Sequence, residues 1–218
     1  MRIQKWVIAA AVASCGWAQA PIDRKSAGPA AIPDSVSMEA NIPYGEFKET
    51  VLDILQPKEP AKKKRPGVIL IHGGGWTGGT KEARVEYAAL KYAQHGFVVA
   101  NVEYRLAKAA TAPAAVSDVL KAAQWFHKNA KKYHVDAKRI VVTGDSAGGH
   151  LAMLAAYSMG DRQLPPSCDA PAVPIKAVVN FYGPVDLVLG YDDSGSLAFA
   201  QDALRQFIGG SPAEFPER

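Results

Sequence analysis

The sequence predicts an α/β protein built on a doubly wound, mostly parallel sheet. Three observations carry that expectation. Short apolar runs, mostly β-branched and without in/out alternation, recur at 68–71, 97–102, 140–142 and 177–179, as strands covered on both faces do. Helix-length segments at 81–95, 113–132 and 147–159 separate them, the pattern of successive βαβ units. Glycine-rich turns follow two of the runs, at the strand ends where parallel sheets receive ligands.

The elements follow in chain order. Residues 1–20 read as a secretory signal peptide: Arg2 and Lys5, an apolar stretch from Trp6 to Ala13, then small residues at Gly16, Ala18 and Ala20. The apolar stretch is too short for a stable transmembrane helix, so an exported, periplasmic or secreted product is expected. Val12-Ala13-Ser14-Cys15 resembles a bacterial lipobox, and a lipoprotein anchored through Cys15 is the alternative. A soluble exported product keeps only Cys168, which leaves no internal disulfide to support the fold. Residues 21–43, rich in Ala, Pro and Ser, suit an exposed lead-in segment, and 44–218 a single domain. A strand is expected at 51–55, then a Pro- and Lys-rich linker at 57–66. In the 113–132 helix, Val116, Val119, Leu120, Ala123 and Phe126 form one apolar stripe to pack on the sheet. No internal repeat interrupts this order.

The 218 residues, 48% hydrophobic, suffice for one core. The net charge of +4 equals the contribution of Lys62, Lys63, Lys64 and Arg65. A single run of that kind reads as a solvated loop; nucleic-acid binding needs a basic face spread over the fold, and none is expected.

Two motifs carry chemistry. Gly144-Asp145-Ser146-Ala147-Gly148 follows the 140–142 strand and opens a helical run. Glycines flank the serine because the chain turns sharply there and exposes the hydroxyl, so Ser146 is the candidate nucleophile. His72-Gly73-Gly74-Gly75-Trp76 ends the 68–71 strand, and its glycines let backbone amides point at one spot. Gly74, Gly75 and Ala147 are the candidate oxyanion-hole donors for a tetrahedral intermediate, with His72, Gly73, Gly144 and Gly148 as motif support. Each pattern alone also fits an ordinary glycine turn or a phosphate-binding loop. Their joint occurrence in this order favours the nucleophile. Trp76 suits either the acyl pocket or the core.

From about Tyr44 onward the chain resembles the esterase/lipase branch of the α/β-hydrolase superfamily, near hormone-sensitive-lipase-like and bacterial feruloyl or acetyl-xylan esterase-like proteins. The resemblance rests on 68–76, on Asn101-Val102-Glu103-Tyr104-Arg105-Leu106 and on 144–152. It implies an eight-stranded sheet, a Ser, Asp, His triad in that chain order, no metal or organic cofactor, and a small-molecule or polysaccharide-linked ester as substrate. All five histidines (His72, His95, His127, His134 and His150) precede Ser146 or lie within four residues of it. The expectation is therefore an α/β-hydrolase fold incomplete at its C-terminus, lacking the triad Asp and His, unstable and nearly inactive as this chain. His150, one turn into the helix, reads as structural, and His72 as ordering the glycine loop. Asp186 comes too early for the triad acid and suits a loop cap; Asp192, Asp193 and Asp202 read as solvated charges. A peptidase or formamidase on the same fold, a non-catalytic binding protein, and a histidine supplied by a partner chain are the alternatives.

Overall fold

In the computed structural model the described residues are 31–158, 172–192 and 198–216. The leader, Cys15, Cys168 and Asp193 lie outside them. Among the described residues six strands form one sheet in the order β1-β2-β4-β3-β5-β6. They are β1 (Val36–Pro43), β2 (Val51–Pro57), β3 (Arg65–Ile71), β4 (Val98–Val102), β5 (Val135–Asp145) and β6 (Ala177–Phe181). β1 and β2 run antiparallel, as do β2 and β4, whereas β4, β3, β5 and β6 are mutually parallel.

The expected strands are present, and the lead-in is shorter than expected. Val36–Pro43 forms β1 at the sheet edge, where Val36 is buried and most of the strand is not. A bulge between Glu39 and Ile42, with Asn41 at φ 56°, breaks its period and hides the strand from a pattern reading.

Helices are α1 (Leu90–Gln94), α2 (Ala114–Lys128), α3 (Ala147–Tyr157), α4 (Leu187–Asp192) and α5 (Ala198–Ile208). The segment expected as one helix over 81–95 is a 3₁₀ turn at Glu82–Arg84, a π-helical turn at Val85–Ala89 and then α1. Apolar spacing does not distinguish these helix types. α2 ends at Lys128, four residues before the expected end at Lys132, and Asn129 caps it.

Alternate residues of β3 supply two cores, as a sheet covered on both faces requires. Ile69 and Ile71 face the α2 and α3 layer, where the whole Val116 to Phe126 stripe is buried. Val68 and Leu70 face Val85, Leu90 and Ala93 beside α1. α5 closes the first core with Leu204, Phe207 and Ile208, and the Ala112 amide donates to Phe207 O at 2.7 Å. Among the described residues no helix is long and apolar enough to cross a membrane.

Candidate active site

Ser146 stands at the junction of β5 and α3 with φ 53° and ψ −124°. Such a backbone costs a non-glycine residue about 1–3 kcal/mol and must be held by its surroundings. Two bonds hold it: the Ser146 amide donates to Phe181 O at 2.9 Å, and the His150 amide donates to Ser146 O at 3.1 Å. The glycines of the motif have a packing cause. A Cβ on Gly144 would lie 2.6 Å from Ile71 O, and one on Gly148 2.5 Å from His72 O. The elbow is thus pressed directly onto the end of β3, where the glycine loop begins.

That loop is folded on its own carbonyls. Gly74 O accepts from Thr77 N at 3.2 Å and Gly78 N at 3.0 Å. Gly74 at φ 130° and Gly75 at φ 59° adopt conformations that side chains disfavour. A single carboxylate then clamps both ends. Glu103 Oε1 lies 2.8 Å from His72 Nε2, and Glu103 Oε2 accepts from the Lys81 amide at 3.0 Å. The His72 ring stacks on Tyr104 at 4.3 Å, and the Tyr104 hydroxyl donates to His72 O at 3.0 Å. His72 is thus held between Glu103 and Tyr104 where the loop begins.

Buried charge fixes the same region further. Lys81 is 2% exposed and its ammonium reaches Asp53, which is 0% exposed, at 2.8 Å and Glu82 at 2.6 Å. Desolvation pulls the Lys81 pKa down, but the hydrogen bonds it donates to Asp53 and Glu82 outweigh that and hold the group above its ordinary value. Asn101 donates to Lys81 O at 2.8 Å, so the loop exit is tied to β4. Arg84 grips Asp145 with two bonds, Nε to Oδ1 at 2.8 Å and Nη2 to Oδ2 at 2.7 Å. The Gly73 amide also points at Asp145 Oδ1, 3.3 Å away. Arg105 binds the buried Asp118 through Nε at 2.9 Å and Nη2 at 2.7 Å.

Gly74, Gly75, Thr77 and Ser146 line one side of a cavity of about 360 Å³, and Phe199, Asp202, Ala203 and Gln206 of α5 line the other. Ala147 begins α3, so its amide has no partner within the helix. The candidate nucleophile and two of the candidate oxyanion donors, Gly74 and Gly75, therefore line one opening. A larger cavity of about 430 Å³, between α1 and β6, reaches Gly144 and Asp145 but neither Ser146 nor the glycine loop.

The remaining sequence candidates separate clearly. His150 is buried edge-on to Trp76 and Phe207, and desolvation lowers its pKa to about 4, so it is neutral near pH 7. Trp76 stacks on Phe207 at 4.6 Å and belongs to the core rather than to the cavity wall. Asp186 accepts from the Leu189 amide at 2.8 Å and caps α4. Asp202 is exposed, but it stands on the rim of the Ser146 cavity and accepts from Gln206 at 2.7 Å. The reading of Asp202 as only a solvated charge omitted that position, because nothing local in the sequence says which way α5 faces. No local pattern pairs Glu103 or Arg84 with a partner, because their partners lie 31 and 61 residues away in the chain. Among the described residues no imidazole bonds the Ser146 hydroxyl, and no His, Cys, Asp and Glu side chains gather as a metal-binding group.

A parallel sheet wound on both sides, a serine on a strand-to-helix elbow and a glycine loop beside it define an α/β-hydrolase of the esterase/lipase class. The chain belongs to the BD-FAE family, whose sequence profile matches residues 52–218. It is similar to Esterase LipQ of Mycobacterium tuberculosis, 33% identical over 150 residues that are 68% of this chain and 36% of that protein. Among solved structures it is similar in fold to Esterase B from Lactobacillus rhamnosis, with a TM-score of 0.73 and 24% identity over 84% of this chain and 60% of that one. A bifunctional GH43-CE protein of Bacteroides eggerthii aligns at TM-score 0.68 and 28% identity, covering 81% of this chain and 24% of that one. The chain thus spans about a third of the length of the curated esterase it matches.

Proposed function

We propose that this polypeptide belongs to a serine carboxylic-ester hydrolase in which Ser146 is the nucleophile. The observation that carries the reading is the strained Ser146 elbow opening onto the same cavity as Gly74 and Gly75. The Ser146 oxygen attacks the ester carbonyl while its proton passes to an imidazole base, and the carbonyl oxygen becomes an oxyanion. Amides of Gly74, Gly75 and Ala147 receive that oxyanion, each donor supplying about 2.7–4 kcal/mol of transition-state stabilisation. The base then returns the proton to the departing alcohol, and water hydrolyses the acyl-serine by the reverse sequence.

None of the five histidines, all of them among the described residues, bonds the Ser146 hydroxyl. His72 is held by Glu103, His150 is enclosed by aromatic rings, and His95 is exposed and bonded to Lys91 O at 2.7 Å. His127 lies in the last turn of α2 and His134 directly precedes β5, at the end of the sheet remote from the elbow. The substrate is a small-molecule or polysaccharide-linked ester, in keeping with the similar solved structure of a carbohydrate esterase from gut microbiota. The leader-like residues 1–20 support export.

Reaction of the full-length reading frame with a p-nitrophenyl alkylphosphonate tests the assignment. The expected result is one covalent adduct, mapped by peptide mass spectrometry to Ser146. An adduct on another residue contradicts it.

A further inference from the structure

The amino-terminal ends of the parallel strands concentrate positive charge that ester hydrolysis does not use. Exposed Lys62, Lys63 and Lys64 precede β3, Lys131 precedes β5, Lys138 lies near its start, and Lys176 precedes β6. Tertiary bonds gather these segments. Arg139 donates to Lys64 O at 2.6 Å, the Arg65 amide to His134 O at 2.9 Å, and the Lys176 amide to Ile140 O at 2.7 Å. The basic run therefore does not stand alone. Folding extends it into the spread basic face that the sequence run by itself lacked.

Few carboxylates neutralise this face. Asp136 is engaged by Arg139 at 2.8 Å, and Glu39 is shared by Lys132 at 3.4 Å and the Tyr133 hydroxyl at 3.1 Å. Asp34 and Glu59 are the other exposed acids nearby. Among the described residues the lysines at 62–64, 131, 138 and 176 form no ion pair with a protein carboxylate. Their charge is directed to solvent.

The chain also enters the fold at this end. Val36 of β1 pairs with Pro57, and the Lys58 amide donates to Ser35 O at 2.9 Å. The chain therefore enters β1 beside the lysines. Ser146 and the glycine loop follow the opposite strand ends.

We propose that the amino-end lysine face docks on an anionic lipid surface and holds the Ser146 cavity turned away from it. Clusters of about 4–8 basic residues suffice for attraction to anionic headgroups. Lysine ammoniums on long stems suit a diffuse array of phosphates, with no paired geometry to satisfy. Attachment through the preceding segment would present this same face to the headgroups.

Vesicle co-sedimentation of the full chain tests the proposal, using phosphatidylcholine alone or with about one-third phosphatidylglycerol. The expected result is a preference of at least about tenfold for the phosphatidylglycerol vesicles at low salt, abolished at about 1 M salt where screening acts over roughly 3 Å. Replacing Lys62, Lys63 and Lys64 by Glu removes the preference, and replacing them by Gln lowers it by an intermediate factor. The same charge change at Lys48, Lys91 and Lys108, outside the face, leaves most of it. Circular dichroism and unfolding midpoints verify that each variant is folded. Equal binding to both vesicle types, or equal losses in the two Glu variants, overturns the proposal. Binding of soluble polygalacturonate but not of vesicles also overturns it, and assigns the face to acidic polysaccharide.

Discussion

The two ends of the parallel strands treat charge in opposite ways. At the carboxyl ends, Asp53 with Lys81, Asp145 with Arg84 and Asp118 with Arg105 are buried or half-buried and matched, and Glu103 is bonded to His72. At the amino ends, lysines of three segments point outward without carboxylate partners. Matched charges fix backbone in place, and here they fix the elbow and the glycine loop. Unmatched charges instead project a field into solvent. The same residue types therefore serve rigidity at one end and attraction at the other.

The largest expected effect comes from breaking a matched pair. Asp53→Ala leaves the buried Lys81 ammonium with the exposed Glu82 as its one carboxylate partner and should cost up to about 3–5 kcal/mol in urea unfolding. A loss under ~1 kcal/mol would mean that Lys81 escapes to solvent and that the pair does not fix the loop exit.

Acid should act next, through a group that belongs to neither set. The folded His150 pKa, about 4 through burial, lies below the ordinary value of 6.5, so the unfolded chain binds the extra proton first. Its contribution is complete above about pH 6.5, falls as pH drops, and is fully lost below about pH 4, to a total on the order of 3 kcal/mol. His150→Phe should flatten the unfolding midpoint between those limits. An unchanged pH slope in the variant would move the titration to another group.

Loosening the clamp should be milder. Glu103→Gln keeps the side-chain shape but weakens the charge-assisted bond to His72, with an expected loss of about tenfold in kcat of the full-length enzyme and little change in KM. Glu103→Asp, too short to span both loop ends, should not rescue kcat. A fall in stability with normal kcat would leave Glu103 a role in folding alone. The smallest effect is at the other end: Lys62, Lys63 and Lys64 changed together to Gln should shift stability by no more than about 0.5 kcal/mol per site. A larger loss would show that these lysines support the fold.

The contrast also separates what the sequence made legible from what it did not. Strand β3, the α2 stripe and the two glycine motifs are local patterns, and each lies where the residues indicate. β1 escaped notice because its bulge at Glu39 to Ile42 and its half-exposed face blur alternation. α5 carries a readable apolar stripe of Ala203, Leu204, Phe207 and Ile208, yet its approach to Ser146 depends on contacts with Gly75 and Ala112 far along the chain. The Glu103 clamp was hidden for the same reason. Charge pairing across tens of residues has no period to read, so matched and unmatched charges look alike until the chain is folded.

Hydrolysis of p-nitrophenyl acetate by the full-length protein, beside its Ser146→Ala variant, decides whether Ser146 does the chemistry. Turnover in the parent that falls at least about a thousandfold in the variant, with folding retained, is the predicted result. Turnover that survives the substitution would contradict the assignment and send the chemistry to another residue.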